Sequence, residues 1–438
     1  MQSKFAKNIQ CKYRFSPVTV KIPTFKLNNG REIPAIAYGT WLGFDFDATD
    51  LPRLIHTMSY AIDIGYRHID TAHLYRVEPE VGQVINEKIK KGVVKREEMF
   101  VTTKVWQHFH RPADVEVSAK GSLRRLKLDY VDMLLMHWPM SVSQEGVDEK
   151  IDYIDTWRGF EAVLAKGLTK GIGVSNFNFE QMKRLLANCK VKPAVIQIEI
   201  NLNLGQKELV DLCQSHGVQV EAYSPLGTMI PSRAAVNTPE PKLNNPTMVA
   251  IAKKYNKTVT QVTFRYLVSN LTLTGALPTD QQQCSGFCLF VNVRTMFSSG
   301  RLQPDDDDDE CKARPAKHLR QPHTFPQLGH GPTLTWRVEA IIHHAGQLWV
   351  SFSQYQRGLV LVPKTLTKSR TVENASIYDF ELSKEDMATI AKFDNGYRTV
   401  IPLFYQEYTN YPFEKVEGRM DVPHSMLKWK NGGKGDIE

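Results

Sequence analysis

Long hydrophobic runs are absent from this chain of 438 residues. No apolar stretch approaches the roughly 18 to 20 residues that a membrane-crossing helix requires, and the N-terminus lacks the apolar core of a secretory signal. Cysteine is scarce as well, because six residues without regular spacing do not form a disulfide framework. We therefore expect a cytoplasmic protein that contacts no membrane.

Acidic residues are missing from the first 31 positions, which carry seven Lys or Arg. This bias resembles that of a mitochondrial presequence, although Arg and Ser are sparse, and a disordered basic extension over 1–19 is the simpler interpretation. The net charge of +8 comes with no basic stripe interleaved with aromatic residues. We therefore expect a basic surface or an anionic cofactor, and no nucleic acid.

Short β-branched segments alternate with longer amphipathic ones. Strands separated by helices pair in parallel, and a count of eight favours a closed barrel over an open sheet. The predicted fold is an α/β protein, a (β/α)8 TIM barrel, in a single domain at 20–413 with a C-terminal tail at 414–438. The strands are predicted at 33–41, 66–72, 99–106, 131–138, 170–176, 194–200, 218–224 and 358–365. An Asn-Gly pair at Asn29 predicts a hairpin over 19–39 that covers the bottom of the barrel.

The alternation fails once, before the eighth strand. Residues 268–354 stand where a short loop would suffice, and we expect this insertion to lack a packed core. Its acidic run at 304–310 and its scattered Cys and His fit neither a calcium loop nor a zinc module, so no metal is expected. Two origins remain open. The segment is either a translated intron or a genuine loop, which a barrel can tolerate. An intron is supported by its two ends: Val268-Ser269 can be encoded by GTAAGT, the preferred start of an intron, and Phe352-Ser353-Gln354 by a pyrimidine run closing in CAG, the preferred end.

Polar side chains suited to proton transfer follow the second, third and fourth predicted strands: Asp70 with Tyr75, Lys104 and His137. The C-terminal ends of parallel barrel strands meet on one face, where active sites form. A phenol is a poor acid at neutral pH, and a neighbouring ammonium is expected to lower its pKa while Asp70 holds that ammonium in place. A structural ion pair beside a buried His and Tyr is the alternative interpretation.

Groups suited to a nucleotide follow the later strands. The eighth strand ends in Lys364 and Thr365, with Arg370 one turn into the next helix, and cations near a helix N-terminus make a phosphate site. Amide and hydroxyl groups able to bind a flat ring bearing a carboxamide come from Ser175, Asn176 and Gln197, with Tyr223 placed to stack on it.

Six motifs in order resemble the aldo-keto reductases, in particular the aldose-reductase-like members of insects. The resemblance covers about Val20–Leu267 and Tyr355–Phe413. The motifs are GYRHIDTAHLY (65–75), VTTKVW (101–106), LLMHWP (134–139), GIGVSNF (171–177), EAYSPLG (221–227) and LVPKTLTKSRTVEN (361–374).

This resemblance implies NADPH-dependent reduction of an aldehyde or ketone to an alcohol, with Tyr75 as general acid in a tetrad with Asp70, Lys104 and His137. It implies cofactor contacts from Thr40, Trp41, Asp70, Ser175, Asn176, Gln197, Tyr223, Ser224, Leu226, Lys364, Thr365, Arg370, Glu373 and Asn374. We expect the substrate pocket to be lined by Trp41, Tyr75, Trp106, His137 and Trp138. C-terminal loops at 396–438 are expected to set substrate specificity. We expect a monomer that binds a small carbonyl compound. The alternative is a cofactor-binding regulatory subunit, like those of potassium channels, or an inactive variant with the reductase fold.

Overall fold

The computed structural model describes residues 19–43, 46–47, 49–229, 238–240, 243–269 and 358–415. These residues belong to one compact unit, formed by Met1–Leu271 and Arg357–Glu438. The basic extension up to residue 18, the tail beyond residue 415 and nearly all of the predicted insertion at 268–354, including its acidic run, cysteines and histidines, lie outside the described residues.

The chain begins with the predicted hairpin. Strand β1 (Thr24–Lys26) pairs antiparallel with β2 (Glu32–Pro34), and the turn between them has Gly30 at φ +82°, a conformation that glycine adopts without strain. Phe25 and Leu27 on this hairpin, together with buried Ile33, pack against the first residues of several barrel strands. The hairpin therefore closes the bottom of the barrel, as predicted.

Eight further strands form the barrel, each parallel to the next. They are β3 (Tyr38–Gly39), β4 (His68–Asp70), β5 (Phe100–Val105), β6 (Met133–Met136), β7 (Ile172–Ser175), β8 (Val195–Glu199), β9 (Gln219–Tyr223) and β10 (Val360–Val362). Backbone hydrogen bonds join the first to the last, from Ala37 N to Leu361 O at 2.8 Å and from Gly39 N to Pro363 O at 2.9 Å. The predicted (β/α)8 fold is confirmed.

Ten α-helices are described in these residues. They are α1 (Asp50–Ile64), α2 (Glu78–Lys90), α3 (Pro112–Leu126), α4 (Tyr153–Ala165), α5 (Phe179–Asn188), α6 (Lys207–Ser215), α7 (Pro246–Lys254), α8 (Val259–Val268), α9 (Lys368–Ala375) and α10 (Lys384–Ala391). Side chains on their inner faces pack on the outside of the barrel, and polar caps such as Asn178 and Thr258 start α5 and α8. Across the described ranges, no helix has the length and apolar character needed to span a membrane.

The last turn of α8 lies beside the insertion. Val268 belongs to this helix and is fully buried, and Ser269 Oγ donates to the Arg265 carbonyl at 2.6 Å. The helix therefore includes the first residue of the predicted insertion, Val268. On the other side, Gly358 at φ +50° leads into β10.

Candidate active site

A cavity of about 1160 Å³ opens where the barrel strands end. Every predicted site residue except Lys104 lines it, which places the candidate proton-transfer, cofactor and substrate groups in one space. Lys104 lies behind the wall of the cavity, and its side chain has no exposed surface. Among the described residues, no group of three or more His, Cys, Asp or Glu is arranged to hold a metal ion.

A buried ion pair lies at the base of this cavity. Asp70 is the last residue of β4, and Lys104 projects from the neighbouring β5, so that Lys104 Nζ donates to both Asp70 carboxylate oxygens at 2.7 and 2.8 Å. The same ammonium donates to the Thr71 carbonyl at 3.0 Å and to the Tyr75 hydroxyl at 3.3 Å. Tyr75 stands on the 3-10 turn that follows β4. The structure therefore joins three of the four predicted proton-transfer residues directly.

The electrostatics of Tyr75 differ from the prediction. Burial raises the pKa of the phenol, and this effect outweighs the opposing influence of Lys104. Burial also works against the charge of Lys104, but Asp70 and Tyr75 raise the pKa of the ammonium overall. Lys104 does lower the pKa of Tyr75, as predicted, but the loss of water around the phenol, which the prediction left out, has the larger effect. Tyr75 is therefore held protonated beside a charged lysine.

His137 is the fourth member of the predicted set. It follows β6, and its ring lies 5.8 Å from the Tyr75 ring and 5.2 Å from the Trp106 ring. Burial, with a smaller influence from Lys104, holds the pKa of His137 well below its usual value. The imidazole is therefore neutral at physiological pH, with a single N–H to donate.

A carboxyl group that the sequence did not reveal as a site residue lies beneath Gln197. Gln197 Nε2 donates to Asp70 Oδ2 at 2.8 Å and to Glu221 Oε2 at 2.6 Å. Glu221 lies in the middle of β9 and is fully buried. The signal was available in the alternation of β9, which directs Glu221 and Tyr223 to the same side of the sheet.

The predicted ring-binding residues form a second hydrogen-bonded group. Asn176 Nδ2 donates to the His137 carbonyl at 2.9 Å, and the Tyr223 hydroxyl donates to Asn176 Oδ1 at 2.8 Å. Asn176 and Ser224 both have positive φ, at 60° and 47°. Such backbone conformations are costly for residues other than glycine and tend to collect at functional sites.

The far end of the cavity is cationic. Lys364 follows β10, and Arg370 lies in the first turn of α9, where the cap residue Thr367 makes no side-chain hydrogen bond to the helix. The first N–H groups of a helix seek an acceptor, so this end of α9 suits a phosphate. Glu373, predicted beside the adenine, lines the cavity and also accepts from Thr258 Oγ1 at 2.6 Å.

Aromatic residues surround the opposite end. The Trp41 ring lies 5.0 Å from Tyr75, and the Trp138 ring lies 5.7 Å from Phe413 of the C-terminal segment. The structure adds lining residues that were not predicted individually, among them His108, Val142, Thr399, Val400, Ile401, Pro402, Phe404 and Tyr405. Most of them belong to the C-terminal loop that was predicted as a whole to shape the pocket.

Glu199 at the end of β8 anchors this loop. Its buried carboxylate accepts from the backbone N–H of Thr399 at 2.9 Å and of Val400 at 2.8 Å, and from Asn201 Nδ2 at 3.0 Å. A charge-assisted bond to backbone N–H is stronger than a neutral one, so the barrel wall holds the loop over the cavity.

Comparison with known proteins agrees with this geometry. The sequence profile described as "Aldo/keto reductase family" matches residues 35–395. The chain belongs to the aldo/keto reductase family. It is 32% identical over 395 residues to aldo-keto reductase AKR2E4 of Bombyx mori, covering 90% of this chain and 100% of that protein. It is 29% identical over 390 residues to aldo-keto reductase family 1 member A1 of Homo sapiens, covering 86% and 91% of the two chains.

Solved structures of aldo-keto reductases are similar to most of this chain. The crystal structure of AKR2E5, an enzyme of the silkworm Bombyx mori, in complex with NADPH has 55% sequence identity and a TM-score of 0.72, and the match covers 94% of this chain and all of that one. The structure of Bombyx mori AKR2E4 with NADP has 32% identity and a TM-score of 0.68, with 90% and 100% coverage. The predicted resemblance to insect aldo-keto reductases is confirmed, and residues 270–357 are an insertion in the family's barrel.

Proposed function

We propose that this aldo-keto reductase reduces an aldehyde or ketone to an alcohol, with Tyr75 as the general acid. As a family member, the chain is an NADP-dependent oxidoreductase that acts on carbonyl groups. The observation that carries the finer proposal is the contact between the Tyr75 hydroxyl and the buried Lys104 ammonium at the base of the cavity.

The residues of the cavity fit NADP(H), the cofactor found with the similar silkworm enzymes. Ser175, Asn176 and Gln197 offer hydroxyl and amide groups to the nicotinamide carboxamide, with Tyr223 beside them. The cations Lys364 and Arg370 at the start of α9 suit the 2′-phosphate that distinguishes NADPH from NADH. When bound, the cofactor supplies a hydride to the carbonyl carbon.

The protein's own residues supply the proton and hold it in place. Tyr75 keeps its proton because burial raises its pKa, and the positive charge of Lys104 stabilises the phenolate that forms when the proton moves to the carbonyl oxygen. Asp70 keeps Lys104 charged and fixed through two hydrogen bonds. The neutral His137 can orient the carbonyl oxygen with its N–H, and it competes for no proton near neutral pH.

Aromatic walls favour an apolar substrate. Trp41, Trp106 and Trp138 line the cavity together with Val400, Ile401 and Pro402 of the C-terminal loop, so that the carbonyl end of an aromatic or aliphatic compound can reach Tyr75 away from water. We propose that the enzyme acts on small apolar aldehydes or ketones as a cytoplasmic monomer.

NADPH consumption with a panel of aldehydes, sugars, quinones and ketosteroids tests the proposal. We expect turnover with at least one apolar carbonyl compound, and a single peak at monomer mass in light scattering. A protein that binds NADPH tightly but turns over no member of the panel would instead support the regulatory-subunit alternative.

A further inference from the structure

Glu221 is a buried acidic residue to which the proposed chemistry assigns no role. It lies on β9, directly opposite Gln197 on β8, and both side chains project into the barrel. Glu221 has no exposed surface and does not line the cavity, so it does not reach a bound ligand itself. Within the described part of the chain, its second oxygen Oε1 has no hydrogen-bond partner.

The amide of Gln197 is held between two carboxyl groups. A glutamine amide has two N–H donors, and Gln197 directs one to Asp70 Oδ2 at 2.8 Å and the other to Glu221 Oε2 at 2.6 Å. These two acceptors determine which end of the amide carries the nitrogen. Because both donors are used beneath the cavity floor, the carbonyl oxygen of Gln197 is the group left for the cavity that Gln197 lines.

We propose that Glu221 is a positioning residue: it holds the Gln197 amide so that its carbonyl oxygen faces the nicotinamide carboxamide, and its own charge discriminates between the two oxidation states of the cofactor. This inference rests on the proposed cofactor site and goes beyond it. Glu221 acts through Gln197 on the ring, and through the shared Asp70 carboxylate on the Lys104 and Tyr75 pair.

The charge of Glu221 changes close to the physiological range. Burial and then the nearby Asp70 carboxylate raise the pKa of Glu221 to about 8, against smaller opposing influences of Gln197 and Lys104. The titratable groups that face it are Asp70 on β4, Lys104 on β5 and Tyr75 on the turn after β4. Tyr75 and Lys104 have pKa values above their usual 10.0 and 10.5, and the pKa of the nearby His137 lies well below 6.5. Tyr75, Lys104 and His137 therefore do not titrate between pH 7 and 9.

The sign of the effect on binding follows from charge. Below pH 8 Glu221 is protonated and neutral, and above it the carboxylate is negative. The oxidised nicotinamide ring is positively charged, whereas the reduced ring is neutral. Raising the pH through 8 therefore strengthens the binding of NADP⁺ relative to NADPH, by roughly three- to tenfold for a charge at short range behind the ring.

Two variants separate positioning from charge. Glu221→Gln keeps an acceptor for Gln197 and cannot ionise. Glu221→Leu removes the acceptor and leaves one Gln197 N–H unpaired, which is expected to weaken binding of both cofactor forms by about tenfold. The dissociation constants of NADP⁺ and NADPH are measured by fluorescence titration from pH 6.5 to 9.5. Any effect of pH on the binding of the phosphates, which both forms carry, changes both constants alike and drops out of their ratio.

In the wild type, we expect the ratio of the NADP⁺ and NADPH dissociation constants to change with pH, with a midpoint near pH 8. In Glu221→Gln this ratio should not depend on pH, and the affinity for both forms at pH 7 should stay within about threefold of the wild type. A Glu221→Gln ratio that follows the wild-type curve overturns the inference, and so does a folded Glu221→Leu that binds both forms like wild type. If Glu221→Leu does not fold, the Glu221→Gln curve alone decides. Failure of the proposed function has another signature, namely a wild-type protein that binds neither form or turns over no carbonyl compound.

Discussion

Replacing Tyr75 by Phe removes one hydroxyl and leaves the ring in its aromatic surroundings. Lys104 loses the longest of its contacts, at 3.3 Å, and keeps two to Asp70 and one to the Thr71 carbonyl, enough for its three N–H groups. We therefore expect the free energy of unfolding to change by less than about 1 kcal/mol. Loss of the general acid should lower kcat by about 10²- to 10⁴-fold.

Tyr223→Phe is the matched control, because it makes the same chemical change on the other side of the cavity. The Tyr223 hydroxyl donates to Asn176 Oδ1, not to the lysine, and it lies among the groups assigned to the nicotinamide. This variant should weaken NADPH by about five- to tenfold through the lost hydrogen bond, while kcat at saturating cofactor stays within about threefold.

Fluorescence titration with NADPH, steady-state kinetics at saturating cofactor and urea unfolding separate the three quantities. Tyr75→Phe should leave the NADPH dissociation constant nearly unchanged, since its hydroxyl acts in the chemical step. A Tyr75→Phe protein with wild-type kcat, or with lost cofactor binding and intact residual turnover, would refute the assignment. Equal effects of the two substitutions on kcat would show that the lysine contact carries no special role.

Three further outcomes are expected. Arg370→Met should weaken the binding of NADPH by about 10- to 100-fold and that of NADH hardly at all, because a charge-assisted phosphate contact contributes about 1.5 to 3 kcal/mol. Lys368→Met is the control, because it lies on the same helix and its ammonium lies over the Tyr60 ring. Equal losses of affinity for NADPH and NADH would contradict the assignment. Deleting residues 268–354 should leave NADPH turnover intact and raise the unfolding temperature. Sequencing the transcript tests the intron interpretation, which is wrong if most mRNA molecules encode this segment. Burial lowers the pKa of His68 and of His110 to about 3. The unfolded chain therefore binds more protons between about pH 6.5 and 3, and stability should fall with acidification in that window by up to roughly 3 kcal/mol per pH unit for the two sites. Urea midpoints at pH 7 and 5.5 measure this slope, which His110→Asn should roughly halve, and an unchanged wild-type midpoint would contradict it.

Much of the site could be predicted from the order of residues along the chain. Alternating strands and helices imply a parallel barrel, and in such a barrel all strand ends meet on one face. Asp70, Lys104 and His137 therefore had to approach one another, although 67 positions separate the first from the last. The Asn-Gly turn likewise determined the hairpin by local backbone preference alone.

The tertiary structure decided what depends on packing across the barrel. Glu221 and Glu199 look alike in the sequence, as acidic residues inside apolar strands, yet one meets Gln197 beneath the cavity and the other holds the C-terminal loop. The partner of an inward-facing side chain depends on the stagger between strands, which no local pattern encodes. The raised pKa of Tyr75 has the same origin. Whether the lysine or burial prevails depends on how many atoms exclude water around the phenol, and distant segments of the chain supply those atoms only after folding.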